Sequence, residues 1–189
     1  MILPVIAYGD PVLKKVAEDI SEDYNQIDKL IANMWETMYN AHGVGLAAPQ
    51  IGKSIRIFVI DASPFAEDDE TVKDFKKVFI NAKIINEEGE EWIFNEGCLS
   101  IPEVREDVSR KPKITMEFLD ENFVKHTETF EGLAARVIQH EYDHIDGVLF
   151  TDHLTPLRKQ LIKGKLKKIQ DGKIQPEYRM KYYAKRNRR

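Results

Sequence analysis

The sequence predicts an α+β fold in a single domain, with antiparallel β-sheets packed around a buried central helix. Three observations predict it: one helix-periodic segment apolar round most of its circumference, several short β-branched runs mid-chain, and no alternating strand–helix array. At 189 residues the chain suits one compact domain and leaves no room for a second of similar size. Hydrophobic residues at 42% and charged residues at 32% exclude a disordered or fibrous chain. No apolar run approaches the roughly 18–20 residues of a membrane-spanning helix. The opening MILPVIAYGDPVLKK lacks the basic, apolar and small-residue regions of a secretory signal. A cytoplasmic protein with no membrane partner, monomeric by default, is the expectation.

Residues 21–41 bring Tyr24, Ile27, Leu30, Ile31, Met34 and Met38 to helical spacing, with Ser21 to cap the start and Gly43 to end it. That is an N-terminal amphipathic helix. Residues 54–61, SIRIFVID, predict a strand. Residues 63–76 form an acidic excursion in which no chemistry is expected, before KVFINAKII returns as a strand. Residues 91–94 and 113–119 read as extended, and a turn at Asp120-Glu121-Asn122 joins the latter to residues 123–129 in a hairpin. Residues 131–145, with Leu133, Ala134, Ala135, Val137 and Ile138, give the buried helix. After Gly147 the chain leads through Pro156 into a last amphipathic helix over residues 157–169, basic on its outer face.

The domain is expected over residues 1–170, followed by a basic extension over 171–189. Residues 158–189 hold thirteen Lys or Arg less two acidic residues, a local excess of +11 in a chain of net charge -4. Such a region suits nucleic acid or another anionic surface, and a solvated terminus accounts for it equally well.

The strongest chemical signal is His140-Glu141-Tyr142-Asp143-His144, an HExxH pattern on the buried helix. Four residues advance a helix by about 400°, so both imidazoles share one face and can reach one metal ion. Glu141 projects beside that ion as a base toward water. Paired structural histidines are the alternative, but two His and a Glu on an apolar buried helix cost much to desolvate unless a metal compensates them. Asp143 either orients a ligand from behind or pairs with an Arg or Lys.

A catalytic site also needs a third protein ligand. The only cysteine, Cys98 in Glu96-Gly97-Cys98-Leu99-Ser100, is the candidate, against its reading as a small buried hydrophobe. A third feature, Gly43-Val44-Gly45-Leu46-Ala47-Ala48-Pro49-Gln50, lets a backbone approach closely and offers the Gln50 amide. On its own it is a tight helix-to-strand connection.

Taken in order, GVGLAAPQ, EGCLS and QHEYDH resemble the three motifs of the peptide deformylase family, and IPEVRE and DGVLFTDHL resemble it too. The departures are Tyr142, the 63–76 insertion and the long basic tail. The resemblance implies that Cys98, His140 and His144 bind one divalent metal ion, with Fe2+ first and Zn2+, Ni2+ or Co2+ as substitutes. It implies Glu141 as the proton carrier, and the Leu99 backbone N–H with the Gln50 amide as donors to the formyl oxygen. It further implies substrate contacts at Val44, Gly45, Phe94, Glu96, Gly97, Arg105, Leu133 and Val137. The implied substrate is an N-formylmethionyl nascent peptide, and the basic C-terminal region suggests ribosome contact. Two rivals remain, an HExxH metallopeptidase with a downstream third ligand and a closed metal site in an RNA-associated binding module.

Overall fold

The computed structural model describes residues 1–183, and the expected basic extension past residue 183 lies outside the described residues. The strands are β1 (Val5–Ile6), β2 (Gly45–Ala47), β3 (Ile57–Asp61), β4 (Lys76–Glu88), β5 (Trp92–Cys98), β6 (Ile101–Arg110), β7 (Lys113–Leu119), β8 (Lys125–Glu131) and β9 (Met180–Lys181). The helices are α1 (Ile27–Asn40), α2 (Gly132–Ile145) and α3 (Pro156–Gln170). Strands β2-β3-β4-β7-β8 form one antiparallel sheet in that order, β5 and β6 form a separate hairpin, and β1 pairs with β9 in parallel.

Strand β3 explains the layering. Successive side chains leave a strand on opposite faces. Ile57 and Val59 pack with Met34 and Met38 of α1, while Phe58 and Ile60 pack with Ala135 and Ile138 of α2. All four β3 residues are fully buried. A strand covered on both faces reads as an unbroken apolar run, which is what this segment of the sequence does. The expected α+β domain with α2 at its centre is therefore the observed one.

A second layer forms around the hairpin. Ile101, Val104 and Val108 of β6 meet Ile162, Leu166 and Ile169 of α3, and Leu149, Phe150 and Leu154 close the cluster. The Thr155 hydroxyl accepts from the Arg158 N–H at 3.3 Å and caps α3, one residue earlier than the periodicity suggests.

Three details differ from expectation. Helix α1 begins at Ile27, not at residue 21, because Ser21 turns its hydroxyl to Asp23 and Gln26 takes a left-handed φ of 58° before the first turn. Its C-terminal left-handed position falls on His42 (φ 55°), and the Gly43 N–H bonds to the Met38 carbonyl at 2.9 Å. Strand β6 is not among the strands the sequence reading gives; its residues alternate between buried and exposed from Pro102 onward, and Pro102 stands at its second position. Finally, the 63–76 excursion is tied down by Val72, which is 1% exposed, and sends Phe65 toward the site described next.

Candidate active site

Helix α2 delivers His140 and His144 one turn apart, their ring centroids 5.2 Å from one another and nearly perpendicular at 81°. Cys98 arrives from the last residue of β5, where a two-residue turn leads into β6. Its Sγ lies 3.3 Å from His144 Nε2. One donor atom each from Cys98, His140 and His144 fall within 4.8 Å of each other, so three protein donors can hold one divalent ion.

Beneath the donors sits Glu96, only 4% exposed. It accepts from His140 Nδ1 at 2.9 Å, from Arg110 Nε at 2.7 Å and Nη2 at 3.0 Å, and from Arg136 Nη1 at 3.0 Å. The bond fixes the His140 proton on Nδ1 and leaves Nε2 as the ligand atom. Burial alone would raise the Glu96 carboxyl, but donation from His140 and Arg110 outweighs it and holds the group well below the usual carboxylate range. Arg110 reaches on to Asp143 at 2.8 Å, and His153 also contacts Asp143 at 2.7 Å. Asp143 thus forms an ion pair, and through Arg110 that pair supports the carboxylate orienting His140.

Burial would likewise raise the Cys98 thiol. The His144 and His140 rings beside it prevail and bring it down to about 5, so the ligand is a thiolate at neutral pH. For Glu141 burial wins: the carboxyl is pushed up to about 7, with the two imidazoles only partly offsetting it. Its Oε2 is buried and has no hydrogen-bond partner among the described residues. A Cβ on Gly45 would stand 2.4 Å from Glu141 Oε1, so the glycine in β2 is what admits this carboxyl beside the donors.

Gln50 is 1% exposed, and its amide is oriented by the Ala47 N–H donating to Oε1 at 2.8 Å. That turns Nε2 toward Cys98 Sγ and the Ser100 hydroxyl, each at 3.4 Å. Leu99 occupies the first position of the turn after Cys98, and no described residue accepts its N–H.

A cavity of about 530 Å³ opens over these groups. Val44, Gly45, Phe94, Val137 and the His140 ring line it, as do Gln50, Leu99 and Glu141. Gly97 and Arg105 also line it; Arg105 is held at the rim by Asn95, through Oδ1 at 2.9 Å. Glu96 borders the cavity with its carboxylate fully engaged. Leu133 is not among the lining residues and packs in the core behind them, and His144 is 1% exposed below the cavity floor. Sequence reasoning missed Arg110, Arg136, Ser100, Phe65, Pro176 and Tyr178. Only Arg136 carried a signal: an arginine in the otherwise apolar stretch GLAARVI needs a buried carboxylate partner.

Three protein donors leave a coordination position open, and a carboxyl able to carry a proton stands beside it; that combination defines a metal-dependent hydrolase. A sequence model of the polypeptide deformylase family matches residues 2–160. The peptide deformylase of Christiangramia forsetii is 64% identical over 189 residues, covering 96% of each chain. That of Flavobacterium psychrophilum is 61% identical over 193 residues, covering 98% of this chain and all of the other. A solved peptide deformylase from Legionella pneumophila matches with a TM-score of 0.80 at 38% identity, covering 93% of this chain and 100% of that one. The chain belongs to the peptide deformylase family.

Two outcomes follow from the donor set and its support. Cys98→Ser replaces a ready thiolate with a hydroxyl that does not ionise, and zinc affinity should fall by more than the roughly 10–100-fold typical of losing a ligand's supporting partner. Competition against a chromophoric chelator measures it, and unchanged affinity would remove Cys98 from the ligand set. Arg136→Met leaves Glu96 short of one compensating charge in a buried site and should cost about 3 kcal/mol. Urea unfolding reads this out, and an unshifted midpoint would mean that Arg110 and His140 suffice.

Proposed function

We propose that this chain removes the formyl group from the N-terminal methionine of newly made polypeptides and releases formate. The observation that carries the reading is the buried Glu141 carboxyl, its Oε2 without a partner among the described residues, packed on the Gly45 edge strand beside the Cys98–His140–His144 donors; burial pushes that carboxyl up to about 7. A divalent ion held there would lower the pKa of water and polarise the formyl carbonyl. Fe2+ is the proposed ion, with Zn2+, Ni2+ or Co2+ able to replace it, since a thiolate and two imidazoles suit all four.

The chain's own groups supply the rest. Strand β2 is the edge of its sheet, so a substrate backbone can add to it at Gly45. Val44, Phe94 and Val137 wall the methionine side chain, and Arg105 meets the peptide further along. As water attacks the formyl carbon, Glu141 accepts its proton and then delivers it to the departing methionine nitrogen. The Leu99 N–H and Gln50 Nε2 donate to the oxygen on which negative charge grows.

The chain is further proposed to act as a monomer in the cytoplasm. The metallopeptidase reading asks for a downstream third ligand, and the closed-site reading for a fourth. Among the described residues the donor group has three members, the third being the upstream Cys98.

The deciding assay is formate release from a formyl-methionyl peptide by oxygen-free or nickel-loaded protein. Glu141→Gln should keep the metal and lose at least ~100-fold in turnover, and an acetylated peptide should be inert. Cleavage at internal peptide bonds would favour a metallopeptidase instead.

The basic C-terminal region is proposed to contact ribosomal RNA. On α3 the Lys163 and Lys168 side chains are exposed and form no ion pair among the described residues. Reversing both to Glu should weaken ribosome binding and flatten its salt dependence by about two charges, while short-peptide turnover stays the same. Equal ribosome affinity would end that part of the reading.

A further inference from the structure

Residues 171–183, past α3, fold back onto the domain. Gly172 turns the chain with a left-handed φ of 68°, Ile174 buries in the α3–β6 cluster, and the Tyr182 hydroxyl donates back to the Ile174 carbonyl at 2.6 Å. The returning segment then forms β9 against β1, where the Val5 N–H donates to the Arg179 carbonyl at 2.9 Å and the Ala7 N–H to Lys181 at 3.0 Å. Pro176 and Tyr178 thereby become part of the active-site wall.

Tyr178 does more than line it. Its hydroxyl donates to the Leu99 carbonyl at 2.7 Å. On the next residue the Ser100 carbonyl accepts from the Tyr8 N–H at 2.8 Å, and Tyr8 directly follows the segment that pairs with β9. Consecutive carbonyls of the turn between Cys98 and Ile101 are thus gripped by the two ends of the described chain. From the inner side the same turn is met by Gln50 Nε2 at the Ser100 hydroxyl and by the close approach of the Leu99 side chain to Gly43.

We propose that Tyr178 is a positioning residue for the hydrolytic reaction: its hydrogen bond to the Leu99 carbonyl fixes the Leu99–Ser100 peptide plane, and with it the Leu99 Cα from which the Leu99 N–H projects toward the developing oxyanion. This rests on the deformylase reading of the site. A two-residue turn has few bonds of its own, and a donor contributes to transition-state stabilisation only if it is already aimed when charge develops. Cys98, by contrast, is registered by its pairing with Ile101, independently of the tyrosine.

The test is Tyr178→Phe, which deletes one oxygen and keeps the ring. In cobalt-loaded protein acting on formyl-methionyl-alanine, kcat should fall ~10-fold or more with KM changed less than about twofold, as expected for an interaction made mainly in the transition state. The thiolate-to-cobalt absorption and Tm should match the parent. In metal-free protein, the amide resonances of Leu99 and Ser100 should shift. Undiminished kcat, or unmoved Leu99 and Ser100 resonances, would overturn the proposal. So would a loss of kcat accompanied by altered cobalt absorption and lowered Tm, since that would make Tyr178 a general strut. A parent enzyme that releases no formate would refute the deformylase reading instead, and the resonances would still decide whether Tyr178 fixes the turn.

Discussion

Glu96 is a carboxylate almost sealed from water, and it accepts hydrogen bonds from Arg110 on β6 and from Arg136 and His140 on α2. Taking such a charge out of water costs several kcal/mol, and two arginines withdrawn with it cost more. The outlay is recovered only because every partner is in place at once. Arg136 also donates to the carbonyls of Val108 and Trp92 and stacks on the Trp92 ring, which fastens α2 to both strands of the β5–β6 hairpin. The hairpin carries Cys98 and the helix carries the two histidines, so this one ionic cluster fixes the distance between the thiolate and the imidazoles. Glu96 and Cys98 are two residues apart on one strand and face the same way. One carboxylate therefore orients His140 while its near neighbour meets His144.

The five-stranded sheet fulfils a second requirement. Strand β3 is covered on both faces, by α1 and α2, but its neighbour β2 lies at the edge of the sheet and is only three residues long. A short edge strand exposes few unpaired backbone groups, enough for an extended ligand and too few to invite pairing between whole proteins. Gly45 in that strand serves two partners, leaving room for Glu141 on one side and keeping the backbone accessible on the other.

Much of this was legible in the sequence, for identifiable reasons. Helix α2 and its ligands could be placed because helical periodicity and the HExxH spacing are local properties. Cys98 could be proposed because it is the only thiol. The partners within the Glu96 network were not legible, although Arg136 and Asp143 each hinted at an ion pair, because Arg110, Glu96 and Asp143 are brought together by β5–β6 register and by packing on α2, which no local pattern encodes. Leu133 is expected at the pocket wall from family likeness alone, and in the structure it packs in the core cluster next to the cavity-lining Val137. The excursion at 63–76 looked chemically idle from its acidity, while Phe65 within it reaches the cavity. Tyr178 gave no signal at all: its place depends on a chain reversal at Gly172 and on a parallel pairing with a strand some 175 positions away.

That pairing has a consequence for how the molecule assembles. Val5 with Met180 and Ile6 with Lys181 are joined across nearly the whole described chain, the largest loop closed by any strand pair in it. The entropic cost of closure grows only slowly, by about 0.6 kcal/mol for each doubling of the loop, but contacts of great sequence separation form late because intervening structure must first shorten the effective loop. The hairpin, the five-stranded sheet and α2 consist of nearer neighbours and can condense before the latch. A chain at that stage already carries both histidines on a folded helix, yet the carbonyls after Cys98 lack their outer partners. Folding thus separates in time the building of the ligand helix from the completion of the catalytic turn.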